Sequence, residues 1–179
     1  AMDSQFYSVE KADDVLAETK IALEAAADRA NQTILSVASH RPELGGMGCT
    51  VAGICLTTAG CLVFHAGDSR VFRYRNGALK QVTADDSVAA LAARSGRLTP
   101  EEAACSPIRH TITNYLGSPS FRLNVERPSE LRDRDIVLAC SDGLHDLVPH
   151  EIMEKTISRA PSAEAAANDL VFRDLPPTA

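Results

Sequence analysis

Apolar residues recur at near-helical spacing from Ala12 to about His40, at Val15, Leu16, Ile21, Leu23, Ala27, Ala30, Ile34 and Leu35. The pattern predicts one long helix or two consecutive ones. Arg41-Pro42-Glu43-Leu44-Gly45-Gly46 ends it, because proline disfavours a helical residue before it and the two glycines loosen the chain beyond. The spacing then changes. Cys49 to Thr57 and Cys61 to Ala66 read as strands around a Thr58-Ala59-Gly60 turn. Val71 to Arg75 and Ala78 to Val82 flank Asn76-Gly77, a pair that tolerates the positive φ of a type I′ hairpin turn. These four strands read as an antiparallel meander.

Helical pieces follow from about Ser87 to Leu116. Thr99-Pro100-Glu101-Glu102 is a helix start, with Thr99 as cap, Pro100 at the first helical position and Glu102 closing a capping box. Phe121 to Glu126 returns to strand. Asp135 to Cys140 is almost continuously apolar and reads as a buried strand. Pro149 to Ser158 and Pro161 to about Phe172 read as closing helices, and Pro176-Pro177 breaks regular structure. Antiparallel strands segregated from helices indicate an α+β fold, with helices packed on a sheet or sandwich. A parallel nucleotide-binding fold would need alternating strands and helices.

Composition narrows the class. The 179 residues suit one domain, 1–179, with a sizeable core. Hydrophobic residues make up 45% and charged residues 23%, as in ordinary globular proteins. No apolar run approaches the roughly 20 residues of a membrane span, and the start lacks the basic flank and apolar segment of a signal peptide. The net charge of −6 argues against nucleic-acid binding and leaves any phosphate-handling site in need of a local cation. Cys49, Cys55, Cys61, Cys105 and Cys140 form no Cys-x-x-Cys pair and are odd in number. They read as small buried hydrophobes in a reducing cytoplasm rather than a disulfide framework or zinc site.

Two acidic turns carry the candidate chemistry: His65-Ala66-Gly67-Asp68-Ser69-Arg70 and Cys140-Ser141-Asp142-Gly143-Leu144, each at the end of an apolar strand. Two carboxylates brought together from separate strands repel unless a cation sits between them, and hard oxygen ligands suit Mg²⁺ or Mn²⁺. Asp and Ser beside Gly are also ordinary turn residues. Residue pattern alone leaves both readings open. The histidines show no ligand pattern and read as incidental, with His65 packed or hydrogen-bonded. Arg70 is expected to brace the hairpin or pair with an acid, and Asp146 to brace the turn after Asp142.

A family resemblance goes further. Gly46-Met47-Gly48-Cys49-Thr50-Val51 is similar to the Met-Gly-Thr-Thr block of the PPM (PP2C-type) metal-dependent serine/threonine protein phosphatases. Ala66-Gly67-Asp68-Ser69-Arg70 with Tyr74-Arg75-Asn76-Gly77 resembles their Gly-Asp-Ser-Arg hairpin, and Thr83-Ala84-Asp85-Asp86-Ser87-Val88 their Thr-x-Asp-His-Ser segment. Gly96 to Ala103 and Ile112 to Gly117 resemble the flap region and the Thr-Arg-Ala-Leu-Gly element, and Cys140 to Val148 the Ser-Asp-Gly-Leu-x-Asp motif. The blocks keep the family's order from Gly46 to Val148.

The resemblance implies an α-β-β-α sandwich of antiparallel sheets flanked by helices. It implies hydrolysis of phosphoserine and phosphothreonine in proteins by a metal-activated water, at a two-metal Mn²⁺ or Mg²⁺ centre with a further third site. Asp142 would bind one metal and also serve the third site with Asp68. No catalytic residue beyond the metal ligands is implied. Residues 85–117 would form a mobile flap, in which Asp86 stands for the usual His, and Asn114-Tyr115 for the usual Arg-Ala. The substrate would be the product of a serine/threonine kinase, in a bacterial cytoplasm, with no nucleic acid or membrane involved.

The family's Asp-Gly-x-Gly-Gly, whose Asp bridges the metals, and its final Asp-Asn do not occur. The sandwich is therefore expected to be truncated at both ends. The chain would be a fragment of a longer protein, a naturally shortened member, or one completed by another chain. Exposed sheet edges would then suit dimerisation or strand exchange. The rival reading is an inactive pseudophosphatase or fragment that binds a phosphoprotein or other partner.

Overall fold

The computed structural model describes residues 3–127, 131–132 and 134–172. Two three-stranded antiparallel sheets are flanked by helices. The first sheet has the order β1 (Val51–Thr57), β2 (Gly60–Ala66), β5 (Asn124–Glu126), and the second β4 (Ala78–Gln81), β3 (Arg70–Arg75), β6 (Ile136–Cys140). Helix α1 (Asp3–His40) covers the first sheet: Leu16 packs with Leu62 and Val125, and Leu23, Cys55 and Phe64 close around them. On the far side of the second sheet lie α5 (His150–Arg159) and α6 (Ala163–Phe172). There Phe72 and Leu79 bury against Val148, Met153, Ile157 and Leu170. Each fully buried side chain of this size contributes about 1.5–3 kcal/mol. The α-β-β-α order expected from the sequence is the one observed.

Local signals formed as expected. The Asn76-Gly77 turn has φ of 51° and 86° at its two residues, both in the left-handed region. Helix α3 (Pro100–Ala104) starts with the full capping box, Thr99 N–H donating to Glu102 Oε2 at 2.7 Å and Glu102 N–H to Thr99 Oγ1 at 3.2 Å.

The expected meander is not one sheet. β2 and β3 are consecutive, yet β2 pairs with β1 and β5, while β3 pairs with β4 and β6. The chain leaves one sheet for the other at Gly67-Asp68-Ser69, where Gly67 takes φ of 109°. Thr50 Oγ1 and Ser69 Oγ, 2.8 Å apart, pin the turn across the sheets.

Other expectations are corrected. β6 is not a buried strand: Ile136 is 42% exposed and Ala139 is exposed, because β6 pairs with β3 on one side and lies at the edge of its sheet. The strand expected over Phe121 to Glu126 is confined to Asn124–Glu126, since only those residues reach β2. Helix within 87–116 is limited to α2 (Val88–Arg94) and α3, and turns occupy 106–111. Cys49 and Cys105 are exposed rather than buried, one preceding β1 and the other capping α3, and all five thiols are free. Cys140, packed beside the second core, has its thiol pushed by burial up to about 11. The Pro176-Pro177 break lies outside the described residues. Among the described residues no helix is long and apolar enough to cross a membrane.

Candidate metal centre

The strand register brings the two acidic turns together. In the antiparallel β3–β6 pair, Arg70 stands opposite Cys140. Continuing that register past the strand ends sets Asp68 opposite Asp142. Asp142 opens the short helix α4 (Asp142–His145), where its own Oδ1 accepts from the Gly143 N–H at 2.8 Å. Asp68 is nearly buried, at 8% exposure, whereas Asp142 is exposed. Burial above all pushes the Asp68 carboxyl up from its ordinary range, against the hydrogen bond to its own backbone, and the Asp142 and Asp85 charges push the same way.

A third group joins them. Ligand atoms of Asp68, His110 and Asp142 all lie within 4.8 Å of one another. His110 comes from the 106–111 segment, held in place by the Val88 N–H donating to the Thr111 carbonyl at 2.9 Å and by the Ser87–Ile112 bridge. Two carboxylates and an imidazole form a donor set that fits a divalent cation. Asp68 and Asp142, the two residues expected as ligands, are thus brought side by side. Of the histidines read as incidental from the sequence, His110 lies beside the two carboxylates, and no sequence signal tied it to the acidic turns.

The surroundings brace this cluster. His145, its side chain 3% exposed, places Nε2 3.1 Å from the Asp68 carbonyl and Nδ1 3.0 Å from Asp146 Oδ1. Asp146 Oδ2 lies 3.5 Å from His110 Nε2. Arg70 is committed to Asp85, with Nε to Oδ1 at 3.0 Å and Nη2 to Oδ2 at 2.7 Å, so it pairs with an acid as expected. His65 is packed and hydrogen-bonded, its Nε2 2.9 Å from the Ala84 carbonyl. A cleft of about 770 Å³ opens between Asp68, Arg70 and α2–α3, with Arg94, Arg109 and His110 on its wall.

The two departures from the family pattern meet in space. Asp86 Oδ2 accepts from Asn114 Nδ2 at 2.7 Å, from Asn124 Nδ2 at 2.9 Å and from the Gly67 N–H at 3.3 Å. Its carbonyl accepts from the Thr113 N–H at 2.7 Å. One carboxylate therefore joins the base of the 85–117 segment to the turn that carries Asp68. The Asp86→Ala variant leaves three donors without their acceptor and is expected to lose about 2–3 kcal/mol of stability. Urea unfolding reads this as a lower midpoint at unchanged slope. A loss below about 0.5 kcal/mol would mean that water replaces the carboxylate.

No family model matches the chain. It is 34% identical over 148 residues to the serine/threonine protein phosphatase PstP of Mycobacterium tuberculosis, an alignment covering 80% of this chain and 28% of the relative. It is 27% identical over 144 residues to the serine/threonine phosphatase stp of Listeria welshimeri, covering 80% and 57%. The crystal structure of M. tuberculosis PstP/Ppp superposes with a TM-score of 0.68 at 34% identity, over 79% of this chain and 59% of that one. The catalytic domain of PstP in complex with two manganese ions gives 0.71 at 29% identity, over 92% and 71%. The chain spans 28% and 57% of the length of these two curated relatives.

Proposed function

Because this chain belongs to the PPM (PP2C-type) family of serine/threonine protein phosphatases, we propose that it serves the metal-dependent hydrolysis of phosphoserine and phosphothreonine in proteins. The observation that carries this reading is the meeting of Asp68 and Asp142 at the ends of β3 and β6, within reach of one ion. Asp68 and Asp142 would hold Mn²⁺ or Mg²⁺ by carboxylate oxygens. Bound divalent ions supply an activated water and neutralise the phosphate. The chain's own part is to fix the ligands: the Arg70–Asp85 pair and His145 keep the Asp68 turn rigid. The solved relative that carries two manganese ions supports Mn²⁺ as a natural occupant.

The 85–117 segment is the flap of a single phosphatase domain spanning the chain. Its ends are tied together at Ser87–Ile112 and to the sheets through Asp86, while α2 and α3 between them border the cleft. Such an excursion suits substrate choice and access. The substrate is a phosphoprotein made by a serine/threonine kinase in the bacterial cytoplasm. The outer edges of β1 and β6 suit pairing with a further strand or a second copy.

A second reading has its own support. Among the described residues the only group of three metal-ligating side chains is Asp68–His110–Asp142. One metal group suits a module that binds a phosphorylated partner without turnover. Hydrolysis of an aryl phosphate by this chain separates the two. Turnover that requires Mn²⁺ and disappears with EDTA is the expected result. A folded chain that binds Mn²⁺ without turnover would leave the binding reading.

A further inference from the structure

We propose that His145 is a positioning residue: its buried imidazole ties the one-turn helix α4 to the turn that carries Asp68, and so sets the distance between the Asp68 and Asp142 carboxylates. The inference rests on the reading of Asp68 and Asp142 as metal ligands and goes beyond it by naming the group that holds them at ligand spacing.

Three observations carry it. First, the strand ladder that brings the two turns together stops short of them, since the β3–β6 register ends at Arg70 and Cys140. Helix α4 has only four residues and no side-chain bond at its N-cap, Ser141, so it has little stability of its own. Leu144 packs it against the second core. Among the described residues the hydrogen bond from α4 to the 67–69 turn is the one that His145 makes, Nε2 to the Asp68 carbonyl at 3.1 Å. A carbonyl only accepts, so Nε2 carries the hydrogen. Second, Asp142 and His145 stand three residues apart, on one face of α4. That face meets the Asp68 turn twice, by the imidazole at the backbone and by the Asp142 carboxylate, whose ligand atom lies within 4.8 Å of that of Asp68. Third, the ring is held in place. Its side chain is 3% exposed, and Nδ1 lies 3.0 Å from Asp146 Oδ1.

The consequence follows from charge. Two carboxylates this close repel, and the Asp142 charge is one of the causes that raise the Asp68 carboxyl. The imidazole tie resists that repulsion, so the ligands are assembled by folding before an ion arrives. A group that acts this way does not touch the ion. Its loss weakens alike every ion that uses the two carboxylates, whereas an imidazole that ligated the ion would favour Mn²⁺ over Mg²⁺.

Calorimetric titration of the metal-free chain with Mn²⁺ and with Mg²⁺ tests this without any need for turnover. His145→Gln reaches about as far as Nε2 and keeps a donor for the carbonyl. His145→Asn is too short to reach it, and His145→Leu fills the space without a donor. Asn and Leu are expected to weaken both ions about tenfold, equally to within about twofold, while Gln stays within about threefold of the unaltered chain. Ile157→Val, in the second core, is the control for stability: it lowers the melting temperature and leaves both affinities unchanged. Unchanged affinities in the Asn and Leu variants overturn the proposal. So does a loss that Gln fails to restore, which would make the ring a packing element, and so does a loss confined to Mn²⁺, which would make it a ligand. Asp142→Asn separates the readings. If it leaves both ions unaffected, the carboxylate reading itself fails; if it weakens them while the His145 variants do not, only the positioning role is lost.

Discussion

The Gly67→Ala variant is expected to lose more than about 3 kcal/mol of folding stability, enough to unfold much of a marginally stable domain. Two costs add at this position. Gly67 holds φ of 109°, which an alanine adopts only under strain. A Cβ there would also overlap the Thr50 side chain, at Cγ2 and at Cβ. Neither neighbour is free to yield. Thr50 is bonded to Ser69, and the Gly67 peptide is held on both sides by Asp86, which takes its N–H and donates to its carbonyl at 2.9 Å. Gly77→Ala is the matched control. It has φ of 86° and nothing within 4 Å of the added carbon, so only the backbone strain remains, about 1 kcal/mol. Thermal and urea unfolding of the two variants measure the difference. Equal losses would show that the crossing between the sheets relaxes and that the contact with Thr50 carries no weight.

The second large effect concerns binding rather than folding. Asp142→Asn is expected to weaken Mn²⁺ on the order of 100-fold, and to remove any Mn²⁺-dependent turnover, because affinity at such sites depends on the number of ligand charges. Stability at neutral pH is expected to change by less than about 0.5 kcal/mol. Asp142 is exposed, and its carboxylate bonds the adjacent Gly143 N–H, which an asparagine oxygen accepts equally well. Affinity lost with stability retained is the signature of a ligand. Calorimetric titration of Mn²⁺ alongside a melting curve gives both values from one preparation. An unchanged Mn²⁺ affinity would return Asp142 to the ordinary role of an acidic residue in a turn.

Departures from a family's pattern need not act one by one. Asp86 and Asn114 each differ from the usual residue, and each alone suggests a flap with altered behaviour. Together they form a donor–acceptor pair at 2.7 Å that anchors the base of the 85–117 segment. The altered chemistry lies at the base of the segment, while α2, α3, Arg94 and Arg109 line the cleft beside it.

The features legible in the sequence lie where physics acts over a few residues. The Thr99–Glu102 capping box, the Asn76-Gly77 hairpin and the apolar stripe of α1 formed as their spacing dictates, because the interacting atoms are at most a turn apart. Ordered motif blocks identified the family, and with it the sandwich and the two carboxylates. The tertiary structure decided the rest. Whether consecutive strands stay in one sheet depends on which edge offers the better partner, and β3 took β6 from far along the chain rather than β2. The apolar run of β6 implied burial, but only its place at the sheet edge fixes how much solvent reaches Ile136. His110 stands far in sequence from both aspartates, in turns without a motif. Its membership of the site comes from the register of Arg70 with Cys140 and from the bridge at Ser87–Ile112, contacts between distant residues that no local pattern specifies.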